Sequence, residues 1–163
     1  MRALFKRYRT SLLVWLTHGL ALPVLRQLRK APVRNYTMEE LSHLPEGTLG
    51  SDLYYFLQQR QLRCLPHYIR HDIKHVLLEY DTTDVGEACL QCCMLGTGRV
   101  SFPVLATVAY AAITMPEHWG RMRNAWRRGR SAVFFHDWPW MELLTAPTQQ
   151  LRRKIFIQQN ELK

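Results

Sequence analysis

With 163 residues, 47% of them hydrophobic, the chain can build one domain around its own core and is too short for two domains of ordinary size. Its net charge of +9 comes almost wholly from residues 1–38, which hold eight Lys or Arg and no acid, whereas the remainder holds 14 basic and 13 acidic groups. Four cysteines (Cys64, Cys89, Cys92 and Cys93), three of them within five residues, do not form a secreted disulfide framework, so a reducing compartment is expected.

Residues 1–35 read as a basic amphipathic N-terminal helix: four cations, then SLLVWLTHGLALPVL, then RQLRK. The apolar run of about 15 residues is interrupted by His18 and Pro23. It falls short of the roughly 20 residues a membrane span needs. A helix lying on an anionic membrane surface is one reading, a first core helix with solvated charges another, and an organellar targeting segment a third.

Residues 36–163 are expected to form an all-α, single helical domain. Thr37-Met38-Glu39-Glu40 is a capping-box pattern that predicts a short helix to about Leu44. PEGTLG at 45–50 predicts a turn. Ser51 is then expected to cap SDLYYFLQQRQL, with Leu53, Phe56 and Leu57 on one apolar stripe. Pro66 opens a helix to about residue 80, and another begins near Val85 and ends at Gly96–Gly98. Residues 101–115 carry no charge, which predicts a helix buried in a core or lining an apolar cavity. An Arg-rich helix follows Pro116, then an aromatic, irregular joint over 132–146 and a last helix at about 147–159.

The chemistry concentrates in H-D-x-x-H, residues 71–75, and in Glu87. His71 and His75 lie one helical turn apart, and Asp72 lies three residues before His75. A short connection turns the chain back, so Glu87, one turn into the next helix, reaches the level of the histidines. His71, Asp72, His75 and Glu87 are therefore candidate ligands of a divalent metal. Zn, Co, Fe and Mn all suit this donor set, with positions left for water or substrate.

Two rival readings use the same residues. In zinc proteases of H-E-x-x-H type the intervening Glu is the base; Asp is one methylene shorter. The HD phosphohydrolases pair His with Asp but need an earlier His and a later Asp; His43 or His67 and Asp137 are the nominees. Cys89-x-x-Cys92 lacks the second pair of a zinc ribbon and reads as small buried residues. The Arg-rich helix with Trp119 and Trp126 matches no recognition motif, so no nucleic-acid partner is expected.

The motif His71, Asp72, His75 and Glu87 resembles the signature of the coenzyme Q (ubiquinone) biosynthesis protein family number four, in particular its shorter bacterial members. PEGTLG at 45–50, the Leu-Tyr-Tyr-Phe-Leu helix, EACLQCCMLGTGR at 87–99 and ITMPEHW at 113–119 extend the similarity over about 36–130. The resemblance implies antiparallel helices enclosing an apolar lipid tunnel, with helix 101–115 as a wall, and a metal, zinc in the first instance, on the four motif residues. It implies a peripheral protein of the membrane where quinones are made. That is the cytoplasmic face of a bacterial inner membrane, or alternatively the matrix side of the mitochondrial inner membrane.

The activity implied is a lyase-type oxidative decarboxylation and hydroxylation at C1 of a prenylated hydroxybenzoate ring. The alternative is a non-catalytic scaffold that binds polyprenyl lipid and organises quinone biosynthesis enzymes. The implied partners are a polyprenylated quinone precursor, those other enzymes, an anionic membrane surface and a second copy of the chain in a homodimer.

Overall fold

A computed structural model describes residues 36–66 and 68–156. Residues 1–35, where the basic amphipathic helix is expected, lie outside the described residues, as does His67. The described residues form seven α-helices in an all-helical domain, as the sequence predicts, with no strand among them. They are α1 (Met38–Ser42), α2 (Leu49–Gln59), α3 (Ile69–Leu78), α4 (Asp84–Gly96), α5 (Phe102–Thr114), α6 (Trp119–Arg130) and α7 (Thr148–Ile155). Single 3-10 turns at Pro116–His118 and Glu142–Thr145 lead into or follow the longer elements.

The helix starts follow from local chemistry. At α1 both halves of the capping box form: Glu40 N–H donates to Thr37 Oγ1 at 3.1 Å, and Thr37 N–H donates to Glu40 Oε2 at 2.8 Å. The cap of α2 is Thr48 rather than Ser51: its Oγ1 accepts from Ser51 N–H at 3.4 Å. Gly47 takes the left-handed conformation, φ 78°, so the turn closes one residue before Thr48 and the helix starts early. Thr83 caps α4 by accepting from Gly86 N–H at 3.1 Å. Helix α3 begins at Ile69, three residues after the proline expected to open it.

The core runs through Leu41, Leu53, Ile73, Leu77, Leu90 and Leu144, all fully buried. The aromatic joint between α6 and α7 plugs into it through Phe135 and Trp140. The closest helix pair is α4 with α6, and it explains the cysteines. A Cβ on Gly129 would come within 2.0 Å of Cys93 O, and one on Gly96 within 2.2 Å of Trp126 O. Backbones this close leave room only for small residues at the seam, and Cys89, Cys92, Cys93 and Ala125 are buried there. Burial raises the Cys92 thiol to about 11, so it packs as an apolar residue.

The C-terminus of α3 is clamped from two sides. Arg152 donates to Val76 O at 2.8 Å and pairs with Glu79 at 3.1 Å, while Arg128 donates to Leu78 O. Both cations sit at the negative end of the helix that carries the two histidines.

The uncharged helix α5 takes the second of its two expected places, along an apolar cavity rather than deep in the core. Only Val104 and Ala111 are buried on it. Instead α4, α5 and α6 leave an open groove of about 500 Å³, lined by Cys92, Leu95, Val108, Ala112, Met122 and Trp126 among others. The reason is geometric: α5 packs on α4 along one side, and no described element covers its opposite face.

Candidate metal centre

His71 and His75 face the same way from α3, with ring centroids 4.7 Å apart. Five residues connect α3 to α4, and Glu87 comes up beside them in the first turns of α4. Its Oε1 lies 3.2 Å from His71 Nε2 and its Oε2 lies 3.1 Å from His75 Nε2. One ligand atom from each of the three residues falls within 4.8 Å of the others. The helix ends favour this charge pattern: His75 is in the last turn of α3, and Glu87 is near the amino end of α4.

The tautomer of His75 is set by its other nitrogen. Nδ1 lies 3.0 Å from Tyr80 O, and a carbonyl can only accept, so Nδ1 carries a hydrogen. Nε2 is then aimed at the Glu87 carboxylate. A neutral ring would set two lone pairs against each other across 3.1 Å. A proton or a metal cation between them removes that repulsion, and a backbone carbonyl behind a histidine is the usual support for a ligating imidazole. Phe56 of α2 stacks on the same ring at 5.9 Å and holds its plane. His75 is buried, with 2% of its surface exposed, so its orientation is fixed by packing.

Electrostatics tie His71 to Glu87. Burial pulls the His71 pKa down. The Glu87 charge, with hydrogen bonds to Asp72 and Glu87, outweighs it and raises the value to about 9. Burial pushes Glu87 up, but the His71 charge and the hydrogen bonds from His71 and His75 hold it well below the ordinary carboxylate range. Glu87 is thus an anion at neutral pH, balanced by positive charge on the imidazole side. A divalent cation placed between these groups would take over that balance.

Asp72, expected as a fourth ligand, does not join the three. Successive residues on a helix point about 100° apart, so it leaves the face shared by His71 and His75. Its Oδ1 lies 3.6 Å from His71 Nδ1, on the far edge of that ring. It stands beside His71 as an ion-pair partner, outside the cluster of three.

A residue that the sequence reading missed does enter the site. Gln91 Nε2 donates to Glu87 Oε1 at 2.6 Å. The signal for it was present, since Gln91 stands four residues after Glu87 on one helical face. The nominees of the phosphohydrolase reading stay apart among the described residues. His43 is exposed and lies against Glu39 O at 2.7 Å, and Asp137 is exposed on the aromatic joint. His67 lies outside the described residues.

Three protein ligands, two imidazoles and one carboxylate, fit a divalent metal of the zinc type and leave positions for water or substrate. No protein-family model matches the chain, and no curated protein matches it. Among solved structures, the fold is similar to that of a protein from Nostoc punctiforme PCC 73102 assigned provisionally to ubiquinone biosynthesis. The TM-score is 0.61 and the sequence identity 20%, over 85% of this chain and 80% of that one. At this identity the likeness is one of fold.

Proposed function

We propose that the protein acts in ubiquinone biosynthesis as a metal-dependent enzyme on a prenylated hydroxybenzoate-type ring. The observation that carries the chemistry is the convergence of His71, His75 and Glu87 with their ligand atoms within 4.8 Å. The pathway rests on the fold likeness to the Nostoc protein together with the motif resemblance over residues 36–130. Zinc is the first candidate, with Co, Fe or Mn as alternatives.

His71, His75 and Glu87 would hold the ion, with Asp72 and Gln91 behind them. The bound ion would supply Lewis acidity and a template for the carboxylate or phenolate oxygens of the ring. Exchange of the C1 carboxyl for hydroxyl consumes water, releases CO2 and a proton, and passes two electrons to an external oxidant. The chain's own groups do the rest of the work. The Tyr80 carbonyl and Phe56 fix His75, Gln91 fixes Glu87, and the α4–α5–α6 groove offers an apolar bed for the prenyl tail. Arg123 and Arg127 at the groove lining can meet an anionic head group.

The deciding experiment combines metal analysis of tag-free protein with quinone formation in a complementing strain. His75→Ala and Glu87→Ala are expected to lose both the metal and quinone formation. Metal loss with quinone formation intact would sink the enzymatic reading and leave a lipid-binding scaffold for the other enzymes of the pathway. Retention of stoichiometric metal by both variants would sink the site itself.

A further inference from the structure

The outer face of α5 has no partner among the described residues. Phe102, Leu105, Ala106, Ala109 and Ile113 recur at three- and four-residue intervals, so they form one stripe along 13 residues without a charge. All five are exposed, Phe102 by 84% and Ile113 by 80%, and Val100, two residues before the helix, is 68% exposed. An apolar stripe of this size on a monomer surface marks a contact site.

Its surroundings say which kind. Across the groove, α6 exposes Trp119 and Trp126 together with Arg121, Arg123, Arg127 and Arg130. Trp119 Nε1 donates to Ala112 O at 2.8 Å, which ties the indole to the edge of α5. Arg130 lies over the Trp126 ring at 5.2 Å. Among the described residues no salt bridge engages Arg123, Arg127 or Arg130. Between residues 99 and 136 the chain carries six arginines and a single acid, Glu117. An apolar stripe beside amphipathic indoles and a guanidinium rim is the chemistry of the bilayer interface.

We infer that the α5 stripe and the Trp–Arg rim of α6 form one surface that docks the protein on an anionic phospholipid bilayer. The stripe enters the acyl boundary, and Arg123, Arg127 and Arg130 meet lipid phosphates. Charge argues against the other occupants. A second copy placed face to face on this surface would bring one cationic rim toward another. Residues 1–38 bring a further eight cations and no acid, so laying them along the rim would set like charges together. Arm and rim share the same complement, an anionic surface. Among the described residues no helix is long and apolar enough to cross a membrane, so the contact is a docking and not a span. The inference does not depend on which reaction the metal centre supports.

Flotation of the full chain with phosphatidylcholine vesicles, with and without phosphatidylglycerol, tests it. The double variant Phe102→Ser/Ile113→Ser removes two exposed side chains and is expected to lower partitioning about tenfold or more on both vesicle types. The double variant Arg123→Glu/Arg127→Glu is expected to lower it at least about tenfold on anionic vesicles alone. Circular dichroism checks that both variants fold. Unchanged partitioning of the two folded variants overturns the proposal and hands the stripe to residues 1–35. Unchanged partitioning with a serine variant that converts a dimer to a monomer on size exclusion overturns it in favour of a second copy.

Discussion

His75 Nε2 and Glu87 Oε2 meet at 3.1 Å while the opposite nitrogen of the same ring is committed to Tyr80 O at 3.0 Å. The pair is thus preset: the ring cannot rotate away without losing the carbonyl, and Glu87 cannot retreat without losing Gln91. A metal should need little rearrangement to enter. Tag-free protein is expected to bind close to one zinc per chain. Glu87→Gln keeps the side-chain size but removes the anion and is expected to weaken zinc at least about a hundredfold, measured by chelator competition. Equal affinity in the variant would remove Glu87 from the ligand set.

Metal uptake should displace a proton. With its pKa raised to about 9, His71 is protonated at neutral pH in the metal-free protein, and an imidazole ligand must be neutral. Calorimetry at pH 7.5 in buffers of different ionisation enthalpy is expected to report at least one proton released per metal bound. The same shift shapes stability without metal. A folded pKa above the ordinary 6.5 means the His71 contribution is full below 6.5 and is lost as pH rises through about 9. Saturating zinc is expected to remove that alkaline loss, read as a thermal midpoint that stays flat between pH 7 and 9.

Gln91 gives a finer test of how the site is held. Gln91→Leu keeps helix-forming character and bulk but deletes the 2.6 Å bond to Glu87 Oε1. The variant is expected to fold and to bind zinc about tenfold more weakly, the size of effect typical for a group that supports a ligand. Unaltered affinity would reduce Gln91 to a neighbour.

The convergence of His71, His75 and Glu87 was legible because two periodicities agree. The i, i+4 histidines share a face whatever the tertiary fold, and a short turn forces the next helix back past them. Asp72, expected with them by the same rule, stands outside the cluster. Its i, i+3 relation to His75 holds on the helix, but its own direction follows Cβ geometry, which swings it behind His71. The start of α2 was misplaced because Ser51 is the stronger cap by residue type, and the left-handed Gly47 puts Thr48 at the cap instead. The open face of α5 was not legible at all. An uncharged helix announces that it needs an apolar neighbour, but not whether the described chain supplies one. The cysteines were read correctly as packing residues. What the sequence withheld was the reason, the approach of α6 through Gly96 and Gly129.

That approach is open to test. Gly129→Ala places a methyl group 2.0 Å from Cys93 O, a backbone atom that cannot turn aside. Helix α6 must then move off α4, the helix that carries Glu87. The variant is expected to lose about 2 kcal/mol of stability by denaturant unfolding, within the range of overpacked cores. Gly120→Ala, where the added methyl meets open space, is the matched control on the same helix and is expected to be neutral or slightly stabilising.

His136 should set an acid limit. It is buried on the aromatic joint, with Phe134 and Phe135 rings 4.6 and 5.0 Å away. The Thr97 hydroxyl has one hydrogen, which it donates to Met94 O at 2.7 Å. His136 Nε2–H therefore donates to Thr97 Oγ1, also at 2.7 Å, and Nδ1 keeps a buried lone pair with no partner among the described residues. Burial, with the nearby Lys74 and Arg99 charges, lowers its pKa from 6.5 to about 4. The unfolded chain therefore takes up a proton between pH 6.5 and 4 that the folded chain refuses, so stability falls as pH drops through that window. A loss on the order of 2 kcal/mol is expected from this residue. His136→Gln cannot titrate, and its unfolding free energy is expected to fall less than the native protein's between pH 6.5 and 4. Parallel pH profiles for the two proteins would mean that His136 is protonated in the folded state, and that the lone pair at Nδ1 is not sealed from water.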